Sequence, residues 1–270
     1  MLINSKQFLT VKMKKTKIVM VGAGNVASHL APALFFAGAG DIVQVYSRKS
    51  ESAERLARRI PGAEPVDSLA KVDPTADIYL ISVADDAIAT VVAGLPKTDA
   101  LYLHTSGSVG MEALASLSPN YGVFYPLQTF SKDVDLDVAK IPLFVEGATA
   151  EVETRIRDFA SSLFSAVYHA DSELRKKMHI AAVFACNFTN YLWTIADELL
   201  SRDGLPFDVL RPLLDETLRK AFVNSPAASQ TGPAARGDRR VIDAHLSNLS
   251  GSEREIYSLL SEAIMSRRKK

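Results

Sequence analysis

Short apolar, β-branched runs alternate with amphipathic stretches through the first 170 residues, and this rhythm predicts a mainly parallel sheet covered by helices. "KIVMV" (17–21), "DIVQVYS" (41–47), "DIYLISV" (77–83), "ALYLHTS" (100–106), "YGVFYP" (121–126), "PLFVEG" (142–147) and "AVYHA" (166–170) read as strands. Between them, 25–37, 50–59, 86–93 and 150–164 read as helices. From Ser172 the pattern changes. The segment "SELRKKMHIAAVFACNFTNYLWTIADELLSR" carries no breaker for some thirty residues, roughly 45 Å if helical throughout. Further helices are predicted at 207–223, 239–249 and 252–268, with a Ser/Pro/Gly-rich loop at 225–238. The expected division is a sheet domain over 13–170 and an all-α domain over 171–270, with no internal repeat.

Composition narrows the classes of partner. With 270 residues, 47% of them hydrophobic, the chain can bury a sizeable core. Thirty-one basic against thirty-one acidic side chains give no net field to favour nucleic acid or an anionic membrane, so a small-molecule substrate is the expected partner. Asp85 and Asp86 interrupt the longest candidate for a membrane span. The one cysteine, Cys186, excludes an internal disulfide and a Cys-based zinc cluster, and no His/Asp/Glu cluster has metal-ligand spacing, so no metal is expected. Lys12, Lys14 and Lys15 follow the weak N-terminal apolar patch where a signal peptide would have them precede it. The reading is a cytoplasmic protein with a possible start at Met13, residues 1–12 a disordered extension and "SRRKK" a solvated tail.

"KIVMVGAGNVASHL" carries the first chemistry. Gly22, Gly24 and Ala27 form G-x-G-x-x-A directly after a strand and at the opening of a helix. Gly22 permits a tight turn, Gly24 lets a pyrophosphate approach the backbone, and Ala27 lets helix pack on strand. The first helical residues, Asn25 and Val26, offer unpaired N–H groups to the anion. The fold class is therefore α/β, a Rossmann-like sheet domain followed by helices. Pro32 falls inside the predicted helix and should bend it. At the end of the second strand a site for NAD would place an acid on the ribose; this chain has Ser47 and Arg48 there, which suit the 2′-phosphate of NADP.

Two further strand ends reach the edge where ligands of open α/β sheets bind. One supplies Ser82, Val83 and Ala84, followed by Asp85 as an expected helix cap; the other supplies His104, Thr105, Ser106 and Gly107. For His104, proton transfer and structural support stand as equal readings.

The glycine motif, "SVADDAI", "LHTSGS", "FYPLQTFS", "HIAAVFACNFTNYL" and "TGPAARGD" together resemble Rossmann-like NADP oxidoreductases with a helical C-terminal domain of unknown function. These are distant relatives of pyrroline-5-carboxylate reductase, ketopantoate reductase and the 6-phosphogluconate dehydrogenase superfamily. The likeness covers nearly the whole chain from Lys17. It implies NADP as cofactor, with NAD or a deazaflavin as alternatives, a helical domain that often forms a homodimer, and a substrate cleft between the domains. Hydroxyacid dehydrogenases of that superfamily place a catalytic lysine four residues before an asparagine; here Val183 stands four before Asn187. On a regular helix His179, Val183, Cys186 and Asn187 share a face, which makes His179 and Asn187 candidates for proton transfer to a carbonyl or imine, or a hydrogen-bonded core pair. Thr231 and Arg236 are candidates to hold a substrate carboxylate, Gln128 and Ser131 weaker ones, and Asp238 reads as a helix cap. The predicted activity is reduction of a small, anionic carbonyl or imine compound by hydride transfer; an NADP-binding sensor without turnover is the alternative.

Overall fold

A computed structural model describes residues 15–267. The expected start at Met13, the extension over 1–12 and the last three residues of the basic tail lie outside the described residues. The chain divides into two compact units, one ending at Cys186 and one beginning at Asn187.

In the first unit, β1 (Lys17–Val21), β2 (Asp41–Tyr46), β3 (Glu64–Val66), β4 (Ile78–Ile81), β5 (Leu101–His104) and β6 (Tyr121–Pro126) are mutually parallel. β7 (Leu143–Gly147) is antiparallel to β6, and β8 (Val167–His169) runs with β7. The order β3-β2-β1-β4-β5-β6-β7-β8 winds outward from β1 in both directions. Such a sheet has its ligand edge where the chain leaves β1 and β4 on opposite sides.

The strands are apolar at successive positions because both faces are covered. Ile18 and Met20 enter a core with Leu30 and Leu34 of α1 (Asn25–Phe36), Leu56 of α2 (Ser50–Ala57) and Ile156 of α4 (Ala150–Ser161). Val19 and Val21 enter the opposite core with Val91 and Val92 of α3 (Ile88–Gly94). α1 runs continuously through Pro32, which is buried. The strand β3 escapes the hydrophobic pattern because it has three residues with Pro65 in the middle. Asp85 is not a helix cap: a 3-10 turn over Asp85–Ala87 precedes α3, the residue before α3 is Ala87, and the Asp85 carboxylate instead accepts the Ser108 hydroxyl.

The long segment after Ser172 is helical to Ser201, but in three pieces: α5 (Ser172–Ala182), a π-helical turn (Val183–Phe188) and α6 (Thr189–Ser201). The π turn takes more residues per turn than an α-helix. Val183, Cys186 and Asn187 lie within that turn.

The second unit contains α6, α7 (Arg211–Asn224), α8 (Pro233–Arg236), α9 (Arg239–Ser247) and α10 (Gly251–Arg267). The short helix α8 lies inside the segment read as a loop, and Asp238 caps α9 by accepting the Val241 N–H at 3.2 Å, as expected. α8, α9 and α10 pack together around Ala234, Ile242 and Ser261. By contrast α6 and α7 have no buried residue and leave Tyr191, Trp193, Leu213, Leu218, Phe222 and Val223 exposed. Among the described residues no helix is long and apolar enough to cross a membrane.

Candidate functional site

The ends of β1, β4, β5 and β6 lie side by side along one edge of the sheet, and each contributes to one continuous site in the first unit. At β1 the chain turns at Gly22, whose φ of +124° is open to glycine and strained for other residues. Its N–H donates to the Tyr46 carbonyl at 2.8 Å, and a Cβ there would lie 2.1 Å from the Ser82 carbonyl oxygen. The glycine turn is thus pressed against the end of β4. Gly24 differs: it is exposed, and a Cβ added to it meets nothing within 4 Å. As the residue before α1 it has no side chain to cap the helix, so the amides of the first turn, including those of Asn25 and Val26, are left without a side-chain cap. Ala27, fully buried, lets α1 close on the sheet. These features fit an anion such as a pyrophosphate.

Asn25 and His29, one turn apart on α1, take a second task. The Asn25 amide donates to the Phe130 carbonyl at 2.9 Å, and His29 Nε2 meets the Ser131 carbonyl at 2.9 Å. They hold the loop after β6 beside the glycine turn. Gln128 folds its side-chain carbonyl back onto the Thr129 N–H at 2.8 Å, so that oxygen serves the loop's own turn.

Beyond β2, Ser47 accepts the Lys49 N–H at 3.3 Å, and the Arg48 guanidinium is exposed with no ion-pair partner among the described residues. Nearby Glu54 is already engaged with Arg58 at 3.0 Å. A free cation beside a hydroxyl is what a ribose phosphate requires.

At the ends of β4 and β5, Ser82 is buried and its hydroxyl meets that of Thr105 at 3.3 Å, while Val83 and Ala84 are progressively more exposed. His104 is fully buried. Its Nδ1 accepts the Ser106 N–H at 3.2 Å and its Nε2 lies 3.3 Å from the Gly110 carbonyl, an arrangement that requires the neutral ring protonated on Nε2. Burial, reinforced by the Arg175 charge, pushes its pKa down to about 4. Both ring nitrogens of His104 are thus committed to the loop, and burial holds the ring neutral. Ser106 is likewise a loop former, its hydroxyl accepting the Ser108 and Val109 N–H groups at 3.1 and 3.0 Å.

His179 has the opposite character. Its ring is half-buried, Nδ1 lies 3.2 Å from the Tyr125 hydroxyl at the end of β6, and Nε2 has no hydrogen-bond partner among the described residues. The contact exists because residue 107 is glycine: a Cβ there would stand 2.8 Å from His179 Nδ1 and 2.9 Å from the Tyr125 oxygen. Gly107, expected on the site, is the gap into which the imidazole fits.

What holds α5 in place is a charge. The one buried residue of α5 is Arg175, 1% exposed. Its guanidinium bonds Glu146 of β7 at 2.6 Å, the Val109 carbonyl at 2.7 Å and the Ser172 hydroxyl at 3.2 Å, while Nε is left without a partner. Glu146 also accepts the Ser172 N–H and hydroxyl, at 3.1 and 2.9 Å. A buried ion pair adds little net stability but strongly penalises separation of its partners. It therefore fixes α5, and His179 four residues on, against the loop after β5. Neither Arg175 nor Tyr125 stood out in the sequence. The signals were present, in the four-residue spacing of Arg175 to His179 and in a phenol ending a strand on the ligand edge.

Asn187, Thr231 and Arg236 belong to the second unit. Asn187 is exposed within the π turn, Thr231 precedes α8, and Arg236 ends it.

The glycine turn, the bare helix N-terminus and the hydroxyl-lined ends of β4 and β5 define a Rossmann-type nucleotide-binding protein with a helical second unit. The Rossmann-like domain profile matches residues 4–128, and the profile of a domain of unknown function, DUF2520, matches 141–264. A candidate NADP oxidoreductase from Bacteroides fragilis shares 46% identity over 94% of this chain and 99% of its own, with a TM-score of 0.88. The chain belongs to that family of Rossmann-like oxidoreductases with a DUF2520 domain. An imine reductase from Myxococcus stipitatus, solved with NADP+, has the same fold at 18% identity and TM-score 0.63, covering 94% of this chain and 93% of its own. A pyrroline-5-carboxylate reductase from Coxiella burnetii does so at 14% and 0.53, covering 94% and 98%. No curated protein matches the chain.

Proposed function

We propose that the protein is an NADP-dependent oxidoreductase that reduces a small carbonyl or imine compound, with His179 as its proton donor. The observation that carries this reading is the juxtaposition on one sheet edge of an open glycine turn with a histidine whose Nε2 is unbonded and whose Nδ1 is held by a phenol. NADP is supported by the family membership and by the unpaired Arg48 beside Ser47. Gly24, Asn25 and Val26 would hold the pyrophosphate through backbone N–H groups, Ser47 and Arg48 the 2′-phosphate, and Ser82, Val83 and Ala84 the nicotinamide end. When bound, the reduced cofactor supplies a hydride. The chain supplies the proton: His179 presents Nε2 at the edge of the site, and the buried Tyr125, Gly107 and Arg175 keep its ring in one place.

Turnover of reduced cofactor with a panel of keto acids and cyclic imines tests the reading. NADP binding without turnover of either class would favour a sensor, the reading supported by Val183 in place of a lysine. Replacing Arg48 with Asp should weaken NADP binding by at least about 1.5–3 kcal/mol, since a charge-assisted contact is lost and the 2′-phosphate is repelled, and should spare NAD binding, whose ribose hydroxyl an acid accepts. Equal calorimetric affinities of the wild type for NADP and NAD would contradict the assignment.

We also propose a homodimer formed by the helical unit. Two helices that bury no side chain yet expose Trp193, Leu213, Leu218 and Phe222 have the apolar surface of an interface. Sedimentation at micromolar protein is expected to give twice the mass of one chain, and a single-chain mass would sink the proposal.

A further inference from the structure

The Tyr125 hydroxyl is the least expected polar group of the site. Strand β6 is otherwise apolar at its end, with Val123 and Phe124 both fully buried, and Tyr125 itself is 7% exposed. A buried phenol must dispose of one hydrogen. The partner available to it is Nδ1 of His179, at 3.2 Å, and no other acceptor meets it among the described residues. The rings meet edge to face with centroids 6.3 Å apart, and the missing side chain of Gly107 gives both the room to do so.

We propose that Tyr125 is the positioning residue for proton transfer, its hydroxyl fixing His179 as the Nε2–H tautomer and replacing at Nδ1 the proton that Nε2 gives up. This rests on the oxidoreductase reading and deepens it. The balance is simple for a carbonyl substrate. The reduced nicotinamide, when bound, would supply the hydride for the new C–H bond at the carbonyl carbon; His179 gives its Nε2 proton to the resulting alkoxide. As it does so, the Tyr125 proton passes to Nδ1. The imidazole stays neutral, and the pair is reset when the open Nε2 takes a proton from solvent and the Nδ1 proton returns to the phenolate. The direction is favourable because an alkoxide is a far stronger base than a phenolate. Burial raises the Tyr125 pKa, so the phenol keeps its proton in the resting protein. Two charges bear on it from neighbouring elements: Arg175 of α5, which favours the phenolate, and Asp85 after β4, which opposes it. Arg175 is itself paired with Glu146, and His104 is held neutral, so Arg175 and Asp85 are the charges that govern the pair.

Tyr125→Phe removes one oxygen and keeps the ring that packs the strand, which makes it the informative variant. Nitrogen-15 NMR of the histidine rings in the ligand-free protein reads the pair without any turnover. His179 is expected to show Nε2 protonated and Nδ1 as a hydrogen-bond acceptor in the wild type, and a tautomer average in Tyr125→Phe. On a carbonyl substrate the variant is expected to lose about 10-fold to 10²-fold in kcat with an unchanged KM for the cofactor. Identical His179 nitrogen shifts in the two proteins would overturn the proposal, as would an unchanged kcat. A wild type that turns over nothing would instead remove the oxidoreductase reading, and the NMR comparison would still decide the pair.

Discussion

Exchange of His179 for glutamine should lower turnover about 10²-fold to 10⁴-fold, the range of a positioned general acid, with NADP affinity nearly unchanged. Binding and chemistry separate here because the groups that would hold the cofactor lie just beyond β1, β2 and β4 and in the first turn of α1, whereas His179 lies on α5. Its Nδ1 contact goes to Tyr125 and its Nε2 is unbonded, so glutamine removes a proton-exchanging group without removing a scaffold contact to the glycine turn. The loss should appear in kcat and kcat/KM alike, as for an interaction made in the transition state. A fall in NADP affinity as large as the fall in turnover would move His179 from chemistry to cofactor binding. A change in kcat of under about 3-fold would end its role as donor.

The two glycines of the motif should fail in different ways. Gly22→Ala is expected to destabilise the protein by about 3–5 kcal/mol, because a Cβ at φ +124° is strained and would meet the Ser82 carbonyl oxygen at 2.1 Å. That oxygen is backbone of the neighbouring β4 end, which cannot rotate aside. Gly24→Ala should cost no more than about 1 kcal/mol, the difference between the two residues at a helix N-cap, since a Cβ there meets nothing within 4 Å. Its methyl group would instead occupy the space through which a pyrophosphate reaches the first-turn amides, so NADP affinity should fall. Urea unfolding and calorimetry on both variants check the pair. A Gly22→Ala protein with the wild-type midpoint, or a Gly24→Ala protein with wild-type NADP affinity, would refute the respective half.

The sequence by itself determined the sheet, its position in the chain and the glycine turn. Strands buried on both faces must be apolar at consecutive positions, as Ile18 to Val21 and Ile78 to Ile81 are, so local composition carries the signal. The glycine turn was legible for a related reason: Gly22 answers a backbone requirement that its neighbours in the chain already announce. The short strand β3 and the π turn were not legible, since one is held by its pairing to β2 and the other departs from the periodicity used to read helices. Only the tertiary structure separates the surroundings of the two histidines. His104 and His179 are equivalent as residue types, but one is sealed under the Ser106–Gly110 loop and the other leans on Tyr125 across the space left by Gly107. The contacts of Tyr125 with Gly107 and His179 join residues 18 and 54 positions apart, and the Arg175–Glu146 ion pair residues 29 apart; their energy depends on three-dimensional approach and leaves no periodic trace.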